Sequence, residues 1–380
     1  MTSIGGAGNS TRRRRFALGM APLTPYARDM GSKRVLVVGG TGFFGRLLID
    51  DLLGQADCDP IVASRRPLNS GRFKTVVADL HDPGSLSRAL DGVTVAICAA
   101  GPYQELPTSL VDLCLNRGIH YIDLSDDRSF VRKVVSITSA HKHLVSAVCT
   151  GWSTVPALSG LLARIASAGM RSVESIHIQM APGNRGARQT ATIASLLHSV
   201  GQSFRVFRSG EWIPVRGWSE PRDFFFPSPI GRRRGYLVDV PDHEVLPETF
   251  GAHTVEFRAG SELRALNWCL SLMRLTHRSW APWTSMFQRS AALLSWIGHD
   301  AGALGVEVTG DRKTRACIVA TSHGERMAVM PASVMTGLLL SGSADRHVPR
   351  GLVSWTNWLT EEQLRSECAK RSFRLSVETL

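Results

Sequence analysis

Apolar residues run unbroken from Val35 to Val38, stop at a glycine, and resume at helical spacing from Leu47 to Leu53. A short unbroken apolar run predicts a strand buried on both faces, and the spacing after it predicts a helix packed on that strand. The alternation then repeats. Strands are predicted over Pro60–Ser64, Phe73–Ala78, Val93–Ala99, His120–Leu124 and Leu144–Thr150. Helical periodicity fills Ser85–Leu90, Thr108–Arg117 and Asp127–His141 between them. Asp82 and Pro83 form an N-cap and first-turn pair for the Ser85 helix, and Gly118 suits a C-cap. Strand and helix alternating through short connections predict an α/β fold. Residues 31–155 should form a doubly wound parallel sheet with helices on both faces, the Rossmann arrangement.

From Gly151 the rhythm changes. Ser172–Ala181 and Thr254–Ala259 alternate as half-buried strands. Val306–Gly310 and Thr314–Thr321 read as a pair around Asp311-Arg312-Lys313, and Tyr236–Val240 as a short strand. Arg188–Val200 and Val329–Leu340 have helical spacing. The expectation is a second, α+β substrate or dimerisation domain over 156–325, on a mostly antiparallel sheet. Residues 326–380 would form a C-terminal segment partly packed back on the first domain. The stretch 262–298 holds Trp268, Trp280, Trp283 and Trp296 among Leu, Met and Arg. Such a stripe fills a core or a subunit interface more often than it lies on a membrane surface.

Composition changes the picture little, but charge needs locating. The formal net charge is +12 over 380 residues. Half of it sits in residues 1–34, where seven Arg and Lys face one acid, Asp29. This Gly- and Ser-rich leader, residues 1–30, is expected to be disordered. Its apolar run Phe16–Ala21 is short and broken by Pro22 and Pro25, unlike an export signal. No basic surface interleaved with aromatics is visible, so nucleic acid is not an expected partner. No run nears the roughly twenty apolar residues of a bilayer span. Seven scattered cysteines without a C-x-x-C pair read as reduced core thiols in a cytoplasmic protein.

The chemistry concentrates at Gly39-Gly40-Thr41-Gly42-Phe43-Phe44-Gly45. Gly39 lets the chain turn off the first strand, Gly42 leaves room for a diphosphate, and Gly45 lets helix and strand approach. Free N–H groups at the helix start then bind the phosphates. NAD sites usually end the second strand in Asp or Glu. Here Ser64, Arg65 and Arg66 stand there, suited to a ribose 2′-phosphate, so NADP is the expected cofactor. Asp79 and Leu80 follow the third strand, where the adenine lies. Ala99, Ala100, Gly101 and Pro102 follow the fourth, on the nicotinamide side.

These motifs resemble one family. The glycine turn, Ala99–Tyr103 and Tyr121–Asp127 look like the saccharopine dehydrogenase (saccharopine reductase-like) NADP-binding family. Gly151–Ser159 resembles that family's loop into the substrate domain, with weaker likeness at Ala181–Asn184 and Phe257–Glu262. The resemblance implies a two-domain NADP-linked oxidoreductase, often a homodimer, with a small-molecule substrate in the cleft. The family includes imine-reducing enzymes and enoyl reductases acting on lipid intermediates, so the substrate stays open.

Catalytic candidates at the strand ends are Tyr103, as proton donor or cofactor cover, and Asp126 or Asp127, orienting a cationic substrate or capping the next helix. No Tyr is followed four residues later by Lys, which argues against the short-chain dehydrogenase class. His141 and His143 have no third ligand at metal spacing, so no metal is expected. Arg185, Arg188, Gln189 and Thr190 would suit a carboxylate or phosphate at a helix start. The rivals to an NADP-dependent reductase of a C=N or C=C bond are an idle NADP-binding sensor or scaffold, and a membrane-associated reductase of a lipid intermediate.

Overall fold

The computed structural model describes residue 1 and residues 33–141, 143–184, 197–276, 280–293, 298–342 and 349–380. The leader, Arg185–Thr190 and Trp296 lie outside the described residues, as does most of the helix expected over 188–200.

The first half builds as its alternation dictates. Strand β1 (Lys33–Val38) leads into α1 (Phe43–Leu53), then β2 (Cys58–Ser64), β3 (Lys74–Val77) and α2 (Pro83–Ala89). β4 (Val93–Cys98), α3 (Ser109–Arg117), β5 (His120–Asp123), α4 (Arg128–Ala140) and β6 (Ala147–Cys149) follow. The local signals act as their chemistry requires. Asp82 caps α2 by accepting from the Gly84 N–H at 3.0 Å. Gly118 ends α3 in the left-handed region at φ 67°, which glycine enters without a Cβ clash.

The continuation is the second half: α5 (Ser159–Ala166), β7 (Val173–Ala181), β8 (Ser203–Arg208), β9 (Glu211–Arg216), β10 (Arg222–Phe225) and β11 (Arg232–Leu237). Next come α6 (Asp242–Phe250), β12 (Thr254–Ala259), α7 (Arg264–Met273) and α8 (Thr284–Leu293). The chain closes with β13 (Gly302–Gly310), β14 (Lys313–Ala320), α9 (Met330–Ser341), β15 (Gly351–Leu352), α10 (Glu361–Lys370) and β16 (Phe373–Thr379).

Two sheets result. The first has seven parallel strands in the order β15-β6-β5-β4-β1-β2-β3. The order in which strands are added reverses at β1, which pairs with β2 on one side and β4 on the other, opening a crevice at their carboxyl ends. The second sheet has nine strands along β10-β11-β12-β7-β13-β14-β16, with β8 on β12 and β9 on β8. All its pairings are antiparallel except β12 with β7.

Three expectations change. Strand β11 starts at Arg232, upstream of the expected Tyr236–Val240. The basic run Arg232–Arg234 pairs with β10, where the Asp223 carboxylate takes both Arg232 and Arg234. The C-terminal segment also gives a strand to each sheet, β15 and β16, neither of which was expected. Finally, Trp268 and Trp283 fill no core, being 67% and 49% exposed. Trp280 is half-buried against the cluster of Leu197, Val200, Trp218 and Leu270.

Helix α9 packs on α1, β4 and β5, with Gln55 Nε2 donating to the Ser333 carbonyl at 3.0 Å. Cys98, Cys114, Cys149, Cys317 and Cys368 are buried free thiols, whereas Cys269 is exposed. No helix among the described residues is long and apolar enough to cross a membrane.

Candidate functional site

The crevice begins at the glycine turn. Gly39 adopts φ 82°, and a Cβ there would stand 2.5 Å from the Ala100 nitrogen. A Cβ on Gly45 would stand 2.1 Å from the Gly39 carbonyl oxygen. Only glycine permits both approaches. Gly42 is the N-cap of α1, with no side-chain cap and no acid in the first turn. The first amides of an eleven-residue helix therefore face outward beside exposed Thr41 and Gly42, while Gly40 is buried against Val62. Arg46, one turn further on, donates from Nη1 to the Thr41 carbonyl at 2.6 Å. This sets a guanidinium beside the turn, a residue that glycine spacing did not single out.

At the end of β2 Ser64 is half-buried, and Arg65 and Arg66 are exposed beyond it. Asp79, after β3, accepts from the His81 N–H at 3.0 Å. That bond holds its carboxyl below the usual range, and the charge on nearby Arg65 adds to the effect. The Leu80 side chain belongs to the core and its carbonyl takes the Ser109 hydroxyl at 2.8 Å. Only its backbone N–H remains for a ligand.

The other end of the crevice opens into a cavity of about 220 Å³, against the ~10–15 Å³ that one water needs. One wall is Phe44, Ala99–Gln104, Leu124, Asp126 and Ser153–Val155 from the first sheet. The opposite wall is Met180–Gly183, Asp300, Gly302–Leu304, Gly324, Glu325, Met327 and Ala328, carried by the second sheet and the turn after it. The surface is mainly apolar. Its described charged residues are three acids, Asp126, Asp300 and Glu325. The turn Ala99–Pro102, Tyr103, Asp126 and Phe44 are thus brought together, whereas the rest of the glycine run, Ser64–Arg66 and Asp79 do not line this cavity.

Tyr103 lines the wall with its ring, 5.1 Å from Phe130. Its hydroxyl donates to the Cys98 carbonyl at 2.7 Å and accepts from the Leu124 N–H at 3.0 Å. Burial pushes its pKa well up. Both sides of the phenol are occupied by backbone, which opposes a proton-donor role and leaves the covering one. Asp126 is exposed at the cavity rim. Asp127 is the N-cap of α4, accepting from Phe130 N–H at 2.7 Å.

Asp123 organises the loop between. Its Oδ1 accepts from the Ser125 and Gly151 N–H groups at 2.9 and 2.8 Å, and its carbonyl from Trp152 N–H at 2.7 Å. Desolvation of the fully buried carboxyl lifts its pKa to about 6. Asp123 thereby fixes Ser153 and Thr154 in the wall.

His141 Nδ1 lies 2.9 Å from the Ile137 carbonyl. Among the described residues no group of three His, Cys, Asp or Glu could hold a metal ion.

The profile described as saccharopine dehydrogenase NADP binding domain matches residues 35–148. Residues 35–148 are thus similar to that domain family. A curated relative, the trans-acting enoyl reductase of Mycobacterium leprae (strain TN), is 27% identical over 139 residues. The match takes 32% of this chain and spans only 33% of that protein's length. Among solved structures, apo saccharopine dehydrogenase (L-Glu forming) from Saccharomyces cerevisiae superposes with a TM-score of 0.64 at 13% identity. That likeness covers 92% of this chain and all of the other, and it concerns the fold.

The residues present fit the cofactor the family name implies. The uncapped amides of α1 and the Cβ-free faces of Gly39, Gly42 and Gly45 form a cradle for a diphosphate. Arg65 and Arg66 follow the end of β2 and are exposed. The signals missed in the sequence are Glu325, Asp300 and Gly302–Leu304, which local spacing alone could not connect to the crevice.

Proposed function

We propose that this chain is an NADP-dependent oxidoreductase that reduces a polarised double bond, C=N or C=C, of a small molecule in the cavity. The supporting observation is that the Ala99–Tyr103 turn, which closes against Gly39 of the glycine turn, is also one wall of that cavity. Bound there, NADPH would supply the hydride.

The chain's own residues do the rest. The α1 amides and Arg46 hold the diphosphate, and Arg65 and Arg66 pair with the 2′-phosphate. Phe44 and Tyr103 cover the ring and exclude water, while Asp123 fixes the Ser153–Thr154 loop beside it. The apolar lining favours the C=C reading, because the described lining residues include no Arg or Lys for a substrate carboxylate. The M. leprae relative is named an enoyl reductase.

The test is NADPH oxidation by purified protein with 2-enoyl thioesters, and separately with amine and carbonyl pairs. Consumption with the thioesters supports the C=C reading. Consumption with the pairs alone moves it to C=N. NADPH binding without turnover on either contradicts an enzyme and supports the sensor reading.

We also propose a homodimer working in the cytoplasm. Exposed Trp268, Leu272, Leu275, Trp283 and Met286 favour a second reading, attachment to a lipid surface. Sedimentation with anionic vesicles tests it, and protein left in the supernatant excludes it.

A further inference from the structure

The segment from Glu262 to His299 begins and ends at one point, held by a single carboxylate. Glu262 Oε2 accepts from the Asn184 N–H at 3.2 Å and from the His299 N–H at 2.9 Å. A Cβ on Gly298 would lie 2.6 Å from that same oxygen. Asn184 and His299 are the chain neighbours of Gly183 and Asp300, which line the cavity. The His299 side chain is 78% exposed, so this clasp stands at the cavity's rim.

Helix α7 starts two residues after Glu262 and has two apolar faces. The inner one is anchored: Asn267, Leu270 and Met273 are buried, and the Trp218 indole donates to the Asn267 carbonyl at 3.1 Å. On the outer one Trp268 and Leu272 stand one turn apart, Leu275 follows just past the helix, and all three are exposed. Trp283 and Met286 are exposed further along the same segment. Residues 263–297 contain four arginines and no Asp or Glu, and of these Arg264 and Arg289 are exposed. Two copies packed through such a face would set like charges against each other, which disfavours a second chain as its cover. An anionic bilayer meets both properties. Tryptophan lies at headgroup depth, leucine enters the acyl boundary, and arginine reaches the phosphates.

We propose that residues 263–297 seat the protein on an anionic bilayer and that the cavity takes its substrate from that bilayer, past the Glu262 clasp. This carries the lipid-surface reading to the cavity itself, and the delivery, unlike the seating, rests on the reductase reading above. The substrate is then a membrane-dissolved molecule with an apolar body that suits the mainly apolar wall. It carries no carboxylate, for which the described lining residues offer no Arg or Lys.

Flotation with phosphatidylcholine vesicles, with and without phosphatidylglycerol, tests the seating. The protein should rise with the anionic vesicles and far less with phosphatidylcholine alone. Arg264→Ala/Arg289→Ala should weaken that binding roughly 30-fold, about fivefold for each charge lost. Trp268→Ser/Leu272→Ser/Leu275→Ser should abolish it. Wild type left at the bottom of the gradient with anionic vesicles overturns the seating, and so does a wild-type dimer that these variants split into monomers. The delivery is read with hexadecenoyl pantetheine thioester held in the anionic vesicles and crotonyl pantetheine thioester in water. The serine variant should lose about tenfold or more in NADPH oxidation on the first and stay within about twofold on the second. Equal losses on both, no loss on either, or a wild type that reduces only the soluble thioester overturns the delivery. Reduction of neither by the wild type overturns it too, and the amine and carbonyl pairs then decide the reductase reading on their own.

Discussion

Gly45 has less freedom than any other residue at the crevice. Its missing Cβ would fall 2.1 Å from a backbone oxygen that cannot swing away. Gly45→Ala should therefore separate α1 from β1, costing about 2 kcal/mol or more of stability and weakening NADPH binding at least tenfold. Urea unfolding and fluorescence titration measure the two effects, and a wild-type result in both would mean that the helix does not approach the turn this closely. This requirement was legible in the sequence because it is local: three glycines, a strand before and a helix after. Glu325 was not legible for the opposite reason. Its place in the cavity wall comes from β13 and β14, which carry it opposite a wall that lies in the first sheet. Tyr103 shows the limit in between. Its position at a strand end was readable, but the two backbone groups that occupy its hydroxyl depend on how β4 and β5 stand side by side.

Among the elements, α4 links the two sheets through its first turn. Asp127 caps it, and Asp127→Ala should cost about 1 kcal/mol. Arg128, next along, crosses to the second half of the chain. It pairs with Asp239 at 2.6 Å and donates to the Arg205 carbonyl at 2.9 Å. Its side chain is largely buried, so Arg128→Met leaves Asp239 and that carbonyl unmatched, and a loss of about 3 kcal/mol is expected. Chemical denaturation checks both, and equal small losses would deny the crossing its role. Periodicity revealed α4 but not what its first turn reaches. Strands β1 and β4 of the first sheet were legible as short, nearly unbroken apolar runs. Strand β15 was not, since a two-residue pairing such as Gly351–Leu352 leaves no period to read. The basic opening of β11 was hidden because its charges are matched by Asp223 on the neighbouring strand, not within the segment. The exposed face of α7 corrects a different inference: helical spacing of tryptophan shows that the side chains share a face, not that anything covers it.

Over the whole molecule, buried carboxyls set the response to pH. Desolvation lifts Asp242, hydrogen-bonded to Ser159, to about 7, and Asp123 to about 6. Raised above the unfolded value near 3.8, these groups keep protons that the unfolded chain has already released. Their contribution favours folding at low pH and is lost as pH rises from about 4 to 7. His243 works the other way. Burial, and then the Arg128 charge, hold its pKa well below 6.5, so its contribution is lost as pH falls below that value. Asp242→Asn isolates the first effect. Its stability relative to wild type should rise between pH 5 and 7, by at most about 1.4 kcal/mol per pH unit. A constant difference across that range would show that Asp242 ionises as freely in the folded protein as in water.

The same scale decides the function, because the proposed reductase needs the crevice, the arginines and the cavity to act on one ligand. The most direct measurement is calorimetric titration of NADPH and NADH into the wild-type protein and into the double variant Arg65→Ala/Arg66→Ala. The account predicts NADPH bound about 30-fold or more tighter than NADH, as about 2 kcal/mol of phosphate pairing implies, with the preference gone in the variant. Equal or tighter binding of NADH by the wild type, or a preference for NADPH that survives loss of both arginines, would contradict it.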